Sequence, residues 1–90
     1  MESILSSLFY LIKRLPNNKC YLFGSLLQEN KKLKSDIDIL ILYKNENEPK
    51  IIREKLDPIL LSFPIHITFL TYEEEIELNF IKTVNAVLIQ

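Results

Sequence analysis

The chain has 90 residues, of which 48% are hydrophobic and 26% charged, with a formal net charge of −1 and one cysteine. That balance fits one packed domain with a small core, excludes a disordered or fibrous chain and a disulfide framework within the chain, and supplies no electrostatic case for nucleic acid binding over a broad basic face. No apolar run approaches the roughly 18 residues that span a bilayer, and nothing resembles a cleavable leader, so the cytoplasm is the default location and no membrane partner is expected.

Ile4, Leu5, Leu8, Leu11, Ile12 and Leu15 recur at helical spacing, with Ser3 as a candidate cap and Pro16-Asn17-Asn18 as the stop. Cys20 to Phe23 reads as a buried strand ending at Gly24. Residues 25–30 read as a short helix or turn, and Lys31, Lys32 and Lys34 make a basic loop that ends at Ser35. Asp36 to Tyr43 is the strongest strand signal in the chain. Pro49 to Leu61 predicts a helix with Ile51, Ile52, Leu56, Ile59 and Leu60 on its apolar stripe and Pro58 disturbing its last turn. Ile65 to Leu70 reads as a third strand. Thr71-Tyr72-Glu73-Glu74 has the form of a capping box, which predicts a helix to about Phe80 or Ile81. Val84 to Ile89 fits either a helical extension or a terminal strand. The order of elements implies an α/β (α+β) fold, a sheet of three or four strands covered by helices, within a single domain over residues 1–90.

Two features carry chemistry. Asp36 and Asp38 stand two apart in a strand, so both carboxylates project to one side, about 6 to 7 Å apart, while Ile37, Ile39 and Ile41 project to the other. Such a pair can hold magnesium together with substrate phosphates. Gly24, at a strand end, permits positive φ and close backbone approach, and Ser25 after it directs a hydroxyl and neighbouring amides toward whatever sits there, a seat for phosphate. Taken alone, the acids read as a solvated strand end and the Gly-Ser pair as an ordinary turn. The combination Gly-Ser-x10-Asp-x-Asp arises by chance in a chain of this length on the order of once in a thousand sequences, from average residue frequencies.

The stretches Tyr21-Leu22-Phe23-Gly24-Ser25 and Ser35-Asp36-Ile37-Asp38-Ile39-Leu40-Ile41 resemble the signature of polymerase beta-type nucleotidyltransferases, particularly the minimal ones paired with HEPN proteins. The resemblance implies that Gly24 and Ser25, with Ser35 nearby, hold a nucleoside triphosphate such as ATP. It also implies that Asp36 and Asp38 bind magnesium, two ions with the bound nucleotide, and that a third carboxylate on a later strand completes the site. Here His66, in Pro64-Ile65-His66-Ile67-Thr68-Phe69, stands where that third acid is expected, and Leu26 stands where an arginine commonly follows the Gly-Ser pair. An imidazole can act as a base near neutral pH but binds magnesium less well than a carboxylate does.

The expected activity is therefore magnesium-dependent transfer of a nucleoside monophosphate, AMP from ATP, to an acceptor hydroxyl, with a HEPN toxin as the expected protein partner and this chain as its antitoxin. The alternative is a module of the same fold that neutralises its partner by contact alone. Two like charges kept side by side favour the enzyme. The modest core leaves room for an interface with a partner or a second copy, a homo-oligomer. Glu73, Glu74, Glu75 and Glu77 read as helix-dipole residues, the three loop lysines as a solvated loop, Cys20 as a small buried hydrophobe, and Tyr43 and Tyr72 as packing residues at strand ends.

Overall fold

In a computed structural model of the chain, residues 2–15, 18–24 and 37–90 are described. The elements are α1 (Glu2–Lys13), β1 (Lys19–Phe23), β2 (Ile37–Tyr43), α2 (Glu48–Leu60), β3 (Ile65–Thr71), α3 (Tyr72–Leu78), α4 (Phe80–Thr83) and β4 (Val87–Leu88). Together they form a small α+β fold whose strands make one mixed sheet in the order β3-β2-β1-β4. β1 runs antiparallel to β2 and β4, and β3 runs parallel to β2.

β2 sits inside the sheet because it is apolar on both faces, as strands covered on both sides must be. Ile37, Ile39 and Ile41 pack with Cys20 and Leu22 of β1 against Leu8 and Ile12 of α1 and Ile52, Leu56 and Ile59 of α2. On the opposite face Leu40 is fully buried and Leu42 nearly so. That second face is the one approached by the C-terminal helices, where Phe80 of α4 stacks edge-on against Phe23 of β1 with ring centroids 5.2 Å apart. Leu56 is fully buried between α2 and the sheet. Leu56→Ala is expected to destabilise the protein by about 2–5 kcal/mol, read as a lower urea midpoint at unchanged slope.

Several expectations are corrected at element ends. α1 begins at Glu2, so Ser3 lies inside the helix and does not occupy the cap position. α2 runs through Pro58 to Leu60 with its ring accommodated near the end of the helix, and Ile51, expected on the buried stripe, is 44% exposed. The helix opened by the Thr71 capping box stops at Leu78, because Asn79 adopts the left-handed conformation (φ 53°), and a short separate helix follows. Glu75 makes that break affordable: its carboxylate accepts the backbone N–H groups of Phe80 and Ile81, two donors that a helix start would otherwise leave unpaired. The ambiguity at the C-terminus resolves as a strand, β4, whose pairing to β1 is continued by the Cys20 N–H donating to the Gln90 carbonyl and the Ile89 N–H donating to the Cys20 carbonyl.

A polar tie closes the far end of the sheet. Asn18, buried at 6% exposure, donates from Nδ2 to the Leu42 carbonyl and to the Glu48 carboxylate, which also accepts the N–H groups of Lys44 and Asn45. These donors, the Asn45 N–H first, hold the Glu48 carboxyl below its ordinary pKa. A lowered folded-state pKa means the contribution is present above the unfolded value and is lost as the pH falls through the folded one. Acid titration of stability is therefore expected to show a loss that begins below the usual glutamate value of about 4.3 and that Glu48→Gln diminishes.

Candidate active site

The structure brings Gly24, Asp38 and His66 to one end of the sheet. Gly24 follows β1 directly and has φ +87°, a left-handed conformation that glycine adopts without strain. A methyl group placed on it would overlap the Asp38 side chain, chiefly the carboxylate oxygen Oδ2, so the missing Cβ is what allows this acid to lie against the backbone turn. Asp38 is the second residue of β2 and the register partner of Phe23 on one side and of His66 on the other. Directly paired residues share a face, so Asp38, His66 and Phe23 lie on the same side of the sheet, away from the Ile37, Ile39 and Ile41 core. Asp38 is half-buried and His66 exposed.

This geometry has a simple origin in the sequence. β1 and β2 are antiparallel neighbours, so the end of one lies beside the beginning of the other, and the turn glycine meets the early aspartate. β3 is parallel to β2, so its second residue, His66, falls level with the second residue of β2. Tyr21 lies further along the same face, opposite Leu40, and burial together with the charge of Glu75 raises its pKa. The partner assignments for Asp38 and His66 thus follow from strand direction and register alone. Ser25, the lysines at 31, 32 and 34, Ser35 and Asp36 lie outside the described residues.

Among the described residues no group of three or more His, Cys, Asp and Glu side chains could by itself hold a metal ion. Asp38 nonetheless suits magnesium as a partial ligand: it offers a hard oxygen donor against the Gly24 backbone turn, and magnesium commonly takes only one or two protein carboxylates, with phosphates and water completing its shell. His66 adds a nitrogen that is better suited to moving a proton than to binding that cation.

A cavity of about 320 Å³ lies elsewhere, lined by residues that include Asn18, Lys44, Glu48, Ile52 and Lys55. Lys44 follows the far end of β2, roughly 20 Å along the strand direction from Asp38 at about 3.3 Å per residue. Its central carboxylate, Glu48, is engaged by three internal donors, which marks that end as structural. Cys20 is fully buried and burial pushes its thiol up to about 12, so it is a small hydrophobe and no nucleophile at neutral pH.

A mixed four-stranded sheet flanked by helices, with a glycine turn closing on an aspartate at the start of the central strand, defines a nucleotidyltransferase-type α+β fold. The family model for polymerase beta nucleotidyltransferases matches residues 10–90, and the chain belongs to that family. Among curated proteins none matches the chain. No helix among the described residues is long and apolar enough to cross a membrane.

Asn18, read from the sequence only as part of a helix stop, and Glu75, read only as a helix-dipole residue, hold the frame. Each satisfies main-chain groups at a junction between elements. The signal available for Glu75 was its position four residues before an asparagine, a residue that tolerates the left-handed break its carboxylate then caps.

Proposed function

We propose that the chain transfers a nucleoside monophosphate, AMP from ATP, to a hydroxyl on a partner protein of the HEPN type. The observation that carries this reading is the close approach of the Asp38 carboxylate to the Gly24 turn, with His66 level beside it. The missing Cβ at Gly24 lets the Asp38 carboxylate lie against the backbone turn, where it would meet a bound phosphate, and Ser25 follows Gly24 in the sequence. Asp38 and, by its spacing, Asp36 would hold magnesium; when bound with the nucleotide, the metal neutralises phosphate charge and aligns the leaving pyrophosphate.

In the reaction the acceptor oxygen forms a bond to the α-phosphorus while the bond from that phosphorus to the pyrophosphate oxygen breaks. The acceptor's proton must leave as its oxygen attacks, and His66, exposed on the face that carries Asp38, would take it. In this reading His66 does the proton-transfer work of the missing third acid without adding to the metal shell. Purified chain incubated with α-labelled ATP, magnesium and the HEPN-type protein is expected to transfer label to that protein, and failure across nucleotides and acceptors would refute the transfer.

The same histidine favours one other reading, a module that silences its partner by contact. That reading expects the partner to be inhibited equally well with the nucleotide absent.

A further inference from the structure

We infer that the open edge of β3 is a homodimer interface, on which a second copy of this chain pairs its own β3 in antiparallel fashion about a two-fold axis at Thr68. β3 stands at the end of the described sheet, paired on one side only with β2. It is seven residues long, Ile65–Thr71, and its sequence IHITFLT contains no lysine, glutamate or proline, the residues that usually keep a sheet edge from pairing. Its side chains are also left half-covered: every residue of β3 is intermediate or exposed, whereas the next strand in, β2, is buried over most of its length.

The direction of the free backbone groups follows from the pairing to β2. The Ile37 N–H donates to the Pro64 carbonyl, and Asp38 is level with His66, so even-numbered residues of β3 turn their main-chain groups toward β2. Ile67 and Phe69 therefore turn theirs outward, whereas the Thr71 N–H is already donated to the Glu74 carboxylate.

A two-fold axis at Thr68 sets Ile67 opposite Phe69 of the second copy, Ile65 opposite its Thr71, His66 opposite its Leu70, and Thr68 opposite its Thr68. Ile67 and Phe69 of each copy then meet as hydrogen-bonded pairs, about four bonds across the junction. Each facing pair is favourable or neutral: β-branched against aromatic, threonine against threonine, and no like charges opposed. A closed two-fold contact of this kind uses each edge once and stops at two copies. It would join two four-stranded sheets into one and place both Asp38 and His66 sites on the same continuous face. The inference rests on the edge and its register, and does not require the transfer reaction.

Thr68→Cys tests it. The facing residues at the axis form a non-hydrogen-bonded pair, with Cα atoms about 4.5 Å apart, within the range of about 4.4–6.8 Å that a disulfide spans. At about 100 µM, where a micromolar dimer is essentially complete, the unaltered chain is expected to sediment at twice its 10.6 kDa mass. Thr68→Cys should then oxidise to a linked dimer at least tenfold faster than Thr83→Cys on exposed α4. Should Thr68→Cys not fold, a mixture of His66→Cys and Leu70→Cys chains is expected to cross-link while neither alone does. A monomer at 100 µM overturns the inference, and so does a dimer in which neither the Thr68 nor the mixed pair links.

Discussion

Asp38→Asn is expected to lower nucleotidyl transfer by roughly 10³-fold or more while leaving the fold intact. The comparison is with the loss of a single stabilising group aimed at developing charge, which costs about 10²–10³ in rate. In the proposed reaction the lost carboxylate would be a metal ligand as well as a charge. The substitution preserves shape at a position that is half-buried beside Gly24, so packing changes little. Circular dichroism and the urea midpoint check the fold, and label transfer from ATP checks the activity. A variant that retains a tenth of the normal rate would remove Asp38 from the chemistry.

Gly24→Ala is expected to act through geometry. Its φ of +87° disfavours any side chain, at about 1–2 kcal/mol for a left-handed residue, and the new methyl group meets the Asp38 side chain. The carboxylate must move, and a displacement of about 1 Å in a reacting constellation can cost about 10²-fold. kcat/KM is therefore expected to fall by about 10²-fold, with a fall in the urea midpoint that matches a loss of about 1–2 kcal/mol. A large loss of stability with normal specific activity in the folded fraction would make Gly24 a structural turn only.

These two positions are legible in the sequence because their chemistry is local. A lone glycine ending an apolar strand, and acids alternating with isoleucines, each dictate a backbone shape or a shared face within a few residues. The burial of Ile37, Ile39 and Ile41 beneath α1 and α2 follows from that alternation, and the α+β architecture follows from the order of the apolar runs.

What remained hidden depends on distance in the chain or on a single residue's exception to its surroundings. Periodicity carries through Asn79, so nothing in the apolar pattern marks the break there; it rests on asparagine's tolerance of positive φ and on Glu75 capping the next helix. The level placement of His66 beside Asp38 required knowing that β3 runs parallel to β2, a fact of the tertiary connection through α2. β4 was ambiguous because its strand character comes from pairing to β1, more than sixty residues earlier in the sequence by the register of Leu88 with Tyr21. Ile51 fits the helical stripe yet lies at its margin, where the side chain is 44% exposed.

The most direct test of the site is a titration of the isotopically labelled chain with magnesium and a non-hydrolysable ATP analogue, followed residue by residue through the backbone amides. The account expects the largest shifts at Phe23, Gly24, Asp38 and His66, abolished by Asp38→Asn, with little change at Asn18, Lys44 and Glu48. Binding centred on the Asn18–Glu48 end of the sheet, or no binding at millimolar nucleotide, would contradict it.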